Sequence, residues 1–142
     1  MDQAQATAAE LQRAAQGVVE LTAELVEEVA GMLCPPPLLG QVLEAVCLLK
    51  GEQYDWDGAR RMLGELEAGF SAQVATEFLR SVENFDVAAV DPNVIQQVRE
   101  ITEQQNFSAE AAGRVSLLGG KLCAWVVAVV AYHEANSAAG GA

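Results

Sequence analysis

At 142 residues the chain fits a single domain, and its 51% hydrophobic content is enough for a packed core. A formal charge of -12 excludes direct nucleic-acid binding, which needs clustered Lys and Arg against phosphate. Aromatics make up only 6%, alanine is abundant, and the Val, Ile and Thr runs that mark strands are largely missing, so the fold class is all-α.

Residues 1–33 read as one helix. Its larger apolar side chains fall at Leu11, Val18, Leu21, Leu25, Val29 and Met32, a coiled-coil seam with Glu20, Glu24, Glu27 and Glu28 towards solvent. The steps along that seam do not hold a strict heptad, which weakens the preference for one register. The same residues also suit an amphipathic helix packed within its own domain. Pro35, Pro36 and Pro37 end the helix by removing three backbone donors. A second helix is expected from Leu38 to Lys50, with Leu39, Val42, Leu43, Val46 and Leu49 buried and Gly51 as its stop.

Asp55 caps a third helix containing Trp56, Ala59, Met62 and Leu63. Gly64, Gly69 and Ser71 mark a loop or small excursion within residues 64–77, before Val74, Phe78, Leu79 and Val82 recover helical spacing. Asp91-Pro92 opens the next helix, with Val94, Val98 and Ile101 as its stripe. Ser108 caps another start, with Glu110 in the first turn where the helix dipole favours an acid. The last helix carries Val115, Leu118, Leu122, Trp125, Val126, Val129 and Tyr132, and the tail from Ser137 is expected to fray. First and last helices are expected to pair antiparallel around a helical insert. The division is 1–33, an outgoing helix; 34–121, a helical head; and 122–142, a returning helix and tail.

Catalytic chemistry is missing. Gly120-Lys121 is followed by Leu122 rather than Ser or Thr, and Val115 stands where a P-loop needs glycine. Ser-His or Cys-His catalysis would have to use His133, near the expected fraying end, where a surface or helix-packing histidine is the expectation. Cys34, Cys47 and Cys123 lack metal-ligand spacing and read as free thiols of a reducing compartment, so no metal or cofactor is expected. The longest uncharged apolar run, Leu122 to Tyr132, is shorter than the roughly 18 residues needed to cross a bilayer, and no membrane partner is expected. Residues 1–33 hold six acids against Arg13, and the remainder 14 acids against seven bases. A partner with an acidic surface would need those few bases gathered on one face. The residues by themselves lead as far as a helical interaction module.

The order of short motifs goes further. The run Cys34-Pro-Pro-Pro-Leu-Leu-Gly through Glu44-Ala-Val-Cys-Leu-Leu-Lys-Gly51 is followed by Asp55-Trp56-Asp57. Then come Phe78-Leu79 with Asn84-Phe85-Asp86, Asn106-Phe107-Ser108-Ala109-Glu110, and Leu122-Cys-Ala-Trp-Val126. Together these resemble the stalk microtubule-binding domain of dynein heavy chains, over roughly residues 30–135.

The resemblance implies a compact helical bundle at the tip of a two-helix antiparallel coiled coil. It further implies binding to α/β-tubulin, with affinity set by coiled-coil register in the service of a distant ATPase, and no catalysis in the head itself. The implied seam comprises Val18, Leu21, Leu25, Val29, Met32, Leu122, Trp125 and Val129. Arg60 matches a basic contact position. Glu110 and Arg114 match an acid-base pair four apart on one helical face, and Lys121 and Lys50 match more weakly. Gly40 and Glu65 stand where bases are common in the family, which with the acidic charge implies weak tubulin binding. The length of 64–77 resembles axonemal members, implying a cytoskeletal setting in a cilium or flagellum. Some outer-arm heads bind a leucine-rich-repeat light chain, and such a light chain is the alternative partner. A generic helical adaptor is a third reading.

Overall fold

The computed structural model describes residues 3–140, with side-chain surroundings for 5–136. Residues 1–2 of the expected first helix and 141–142 of the expected tail lie outside them. In chain order the helices are α1 (Gln3–Val19), α2 (Ala23–Ala30), α3 (Pro37–Leu49), α4 (Trp56–Met62), α5 (Ala72–Ser81), α6 (Pro92–Thr102), α7 (Ala109–Val115) and α8 (Leu117–Gly140). A two-stranded hairpin, β1 (Glu65–Leu66) and β2 (Gly69–Phe70), separates α4 from α5, and a 3₁₀ turn spans Val87–Ala89.

The first and last long helices run antiparallel. Gly17, late in α1, faces Lys121 early in α8, whereas Ala8 and Leu11 share a groove with Tyr132 much further along α8. The head is built on the head-proximal part of α8, which packs against α3, α6 and α7. Leu39, Val42, Leu43, Val46, Val98, Leu122, Trp125, Val126 and Val129 are all but inaccessible there. Trp125 meets Phe85 edge to face, with ring centroids 5.3 Å apart, in the favoured geometry for aromatic pairs. Leu117–Asn136 is long and apolar enough to cross a membrane by length and composition alone, longer than the run counted from sequence; half of it is buried inside this fold.

The outgoing segment is two helices rather than one. After Val19 the chain tightens, with Leu21 N–H donating to Val18 O at 3.1 Å, and Thr22 is extended before α2 begins. The irregular apolar stripe permits the break, and the second surface offered by α4 and α5 selects it. With the break, α2 turns onto α4 and α5 as well as α8. Val18 and Val29 of the expected seam are buried, and so are Leu122, Trp125 and Val129 opposite. Leu21, Leu25 and Met32 are only half-buried, and Val26 and Ala30 take the deep positions instead.

The end of α3 follows its sequence signals. Gly51 has φ +78°, its N–H donates to Leu48 O at 3.0 Å, and Glu52 N–H donates to Cys47 O at 2.9 Å, closing the two-bond glycine cap. Asp55, Ser71, Asp91 and Ser108 each accept a backbone N–H at the start of α4, α5, α6 and α7. Residues 64–77 become the hairpin plus the first turns of α5. The returning helix starts at Leu117: Ser116 is extended and its Oγ accepts from Gly119 N at 2.8 Å, so Val115 belongs to α7 and α8 begins afresh. Helix α8 persists through Gly140, beyond the expected fraying point at Ser137.

Candidate functional site

Two features of backbone chemistry bring the start of α3, all of α7 and the start of α8 together at one end of the head. Pro36 and Pro37, at the N-cap and first position of α3, carry no N–H, so two of the first-turn donors that would otherwise need an acceptor are absent. Glycines then let helices approach to backbone contact. A Cβ on Gly119 would lie 3.1 Å from Leu39 Cδ1, and one on Gly120 would lie 2.7 Å from Gly113 Cα. Leu39 is thus set against the first turn of α8, and α7 lies directly on it.

This corner presents Glu110 and Arg114 to solvent. Arg114 Nη2 donates to Glu110 Oε1 at 2.7 Å, with side chains 74% and 79% exposed, so the pair contributes little to stability and is open to competition from a partner. Lys121, exposed on α8, lies one turn beyond Leu117, with its stem against Gly17 of α1. Leu117 itself is half exposed, an apolar side chain beside these charges. The position matched to a family lysine is Gly40, close to the Tyr54 hydroxyl and the Pro35 ring.

Lys50 and Arg60 sit elsewhere and are engaged internally. Lys50 is eleven residues from Leu39 along α3, about 16 Å at the helical rise. Its Nζ donates to Ser81 Oγ at 2.6 Å and lies 5.5 Å from the Phe78 ring centroid. Burial lowers the Lys50 pKa, because the ammonium has lost water. Arg60 on α4 has a side chain only 23% exposed: its Nε donates to Ala30 O at 2.7 Å, and Asp57 Oδ1 lies 3.9 Å from Nη1. Beside it, Trp56 Nε1 donates to Met32 O at 2.9 Å. The structure therefore leaves Glu110 and Arg114 exposed as a pair on α7 and Lys121 exposed on α8, and directs Lys50 and Arg60 inward.

Sequence reasoning missed the roles of Gly113, Gly120 and Trp56. Part of the signal for Trp56 was present: prolines at 35–37 cannot donate to the carbonyls of residues 31–33, which leaves Met32 O open to a donor from elsewhere. Among the described residues no group of His, Cys, Asp and Glu is arranged to hold a metal ion. Cys47 and Cys123 are buried, and burial pushes each thiol up to about 11; Cys34 is exposed.

No family model matches the chain. It is similar to the solved microtubule-binding domain of dynein-c, with a TM-score of 0.75 and 27% identity over 96% of this chain and 90% of that one. It is 30% identical over 122 residues to human dynein axonemal heavy chain 2, covering 86% of this chain. It is 26% identical over 132 residues to the cytoplasmic dynein heavy chain of Caenorhabditis elegans, covering 92%. The chain spans only 2% and 3% of the length of these two heavy chains. Fold and site define a helical stalk-tip domain. The chain belongs to the dynein heavy-chain family, in its microtubule-binding-domain part.

Proposed function

We propose that this domain is the microtubule-binding head of a dynein stalk, a non-catalytic module that serves an ATP-driven motor in an axoneme. The single observation that carries this reading is the match to the dynein-c microtubule-binding domain over nearly the whole chain. Helices α1 and α8 are the stalk pair. The tubulin-facing surface is the corner of α3, α7 and α8, with Arg114 and Lys121 as its cations. Glu110 competes with tubulin carboxylates for Arg114, since the exposed pair exchanges one acidic partner for another at little cost.

Affinity is set by the register of α1 against α8. Among the described residues of α1 only Ala15 and Val18 are fully buried, so few knobs resist sliding.

Co-sedimentation with stabilised microtubules at low and moderate salt tests the reading. The parent is expected to pellet at low salt, less at moderate salt, and an Arg114→Ala/Lys121→Ala variant to lose most binding, because both cations are exposed and screened by salt. Failure to pellet at low salt with the stalk pair locked in either register would sink it.

A further inference from the structure

We infer that Trp56 and Arg60 are positioning residues: they latch the end of the outgoing stalk helix to α4, so that a change of stalk register reaches the head. The inference rests on the register reading above and assigns the means by which that register is transmitted.

Helix α2 has a supply problem at its C-terminus. The carbonyls of its last turn need donors from the residues that follow. Glu27 O and Val29 O find them in Gly31 N and Met32 N, at 2.9 and 3.1 Å. Beyond that the chain turns into Pro35, Pro36 and Pro37, which have no N–H. Met32 O, whose helical donor would be Pro36, is instead taken by the indole of Trp56, and Ala30 O, at the last residue of α2, by the guanidinium of Arg60, both on α4. The Arg60 bond is charge-assisted, and its cation sits at the negative end of the α2 dipole. Two consecutive turns of one short helix thus hold the carbonyl end of another.

The latch is directional. On its far side α2 joins α1 through the short Glu20–Thr22 break, so a shift of α1 along α8 reaches α2 as a pull at that joint rather than as the sliding of one continuous rod. The motion reaches the head through α2, and α2 is bonded to α4. Meanwhile α7 is held to α8 by the Gly113–Gly120 contact. The outgoing stalk helix therefore acts on the α4 side of the head while the tubulin-facing α7 stays with the returning helix. Arg60, spent on Ala30 O and neighbouring Asp57, works through α2 rather than as a tubulin contact.

The test uses the full chain with its stalk pair locked in each of two registers, as the parent and as Trp56→Phe/Arg60→Gln. Trp56→Phe keeps the ring and removes the N–H; Arg60→Gln removes the cation and the fork. The parent is expected to bind microtubules differently in the two registers. In the variant that ratio should collapse towards one, while the salt dependence of binding stays as steep as the parent's, because no exposed contact has been removed. A variant that keeps the parent's ratio overturns the latch. So does a flattened salt dependence on Arg60→Gln alone, which marks a direct contact. A parent with no register dependence instead fails the underlying register reading.

Hydrogen exchange without microtubules gives an independent readout that does not depend on the variant's binding. Amides of α2 should exchange roughly tenfold or more faster in the variant, each lost hydrogen bond being worth up to about that factor, with α1 and α8 unchanged. Faster exchange throughout the chain means general destabilisation and also counts against the latch. Arg60→Lys, which keeps a donor and a cation, is expected to restore part of the register ratio.

Discussion

The facing glycines of α7 and α8 give an asymmetric test of the packing that carries Glu110 and Arg114. A Cβ on Gly120 would stand 2.7 Å from Gly113 Cα, 3.1 Å from Gly113 N and 3.2 Å from Ala109 O, all backbone atoms that cannot rotate away. Carbon atoms rest at about 3.5–4.0 Å, so α7 would have to retreat by about 1 Å. Overpacking of this kind costs about 1–3 kcal/mol. Alanine in a helix regains about 0.5–1 kcal/mol over glycine, leaving a net loss of up to about 2.5 kcal/mol, centred on about 1 kcal/mol because the clashing atoms are all backbone. On the same two helices, a Cβ on Gly113 would lie 3.9 Å from Gly120 Cα, an ordinary contact. Gly113→Ala should therefore stabilise by up to about 1 kcal/mol. Thermal denaturation followed by circular dichroism reads both: Gly120→Ala should lower Tm by roughly 4–8 °C and Gly113→Ala raise or preserve it. Equal shifts, or a Gly120→Ala protein as stable as the parent, would refute the close-contact argument. The same retreat tilts α7, so Gly120→Ala should also weaken microtubule pelleting where Gly113→Ala does not.

Thiol chemistry and one turn supply the remaining predictions. With Cys34 exposed and Cys47 and Cys123 buried, mass spectrometry after brief alkylation of the native protein should show one modified cysteine, Cys34; rapid modification of three would contradict the core described above. Below about pH 9 both buried thiols are neutral whether folded or unfolded; above it the unfolded chain ionises first, because burial holds the folded thiols up to about 11. Stability is thus lost as pH rises from about 9 to 11, by roughly 2–3 kcal/mol per thiol. Lys50, whose pKa burial lowers, acts in the opposite sense, so the thiol share is read as the difference from a Cys47→Ala/Cys123→Ala variant in denaturant titrations at each pH. Gly64 has φ +113°, and a Cβ there would lie 2.7 Å from Ser71 O, so Gly64→Ala should cost more than about 1 kcal/mol. Gly69→Ala, with φ +123° and open space around it, carries backbone strain alone and should cost less.

Much of this architecture was legible in local sequence signals, because those signals act within one turn. The proline run, Gly51, and the caps Asp55, Asp91 and Ser108 each work through donors or dihedrals a few residues away, and each lies where the periodicity placed it. The buried face of α3 was likewise readable, since helical spacing puts Leu39, Val42, Leu43, Val46 and Leu49 on one side. Ser71 was readable only as a loop residue, because its capping bond to Val74 depends on the hairpin that precedes it.

Tertiary structure decided what the local signals leave degenerate. An irregular apolar stripe over residues 18–32 fits a continuous seam as well as a broken one; the choice of two helices came from α4 and α5, which offer α2 a second surface to bury against. Exposed and engaged bases look alike in a sequence, because a Lys or Arg side chain reaches either water or a neighbour's carbonyl with similar ease. Only the packed fold sends Arg60 to Ala30 O and Lys50 to Ser81 while leaving Arg114 and Lys121 outside. Capping and periodicity are short-range, so the all-α class and most helix starts were readable in the sequence by itself, and the order of its short motifs carried the resemblance to the dynein stalk domain. Which cations remain available to a partner was decided by distances between residues some thirty apart in the chain, and those exist only once it has folded.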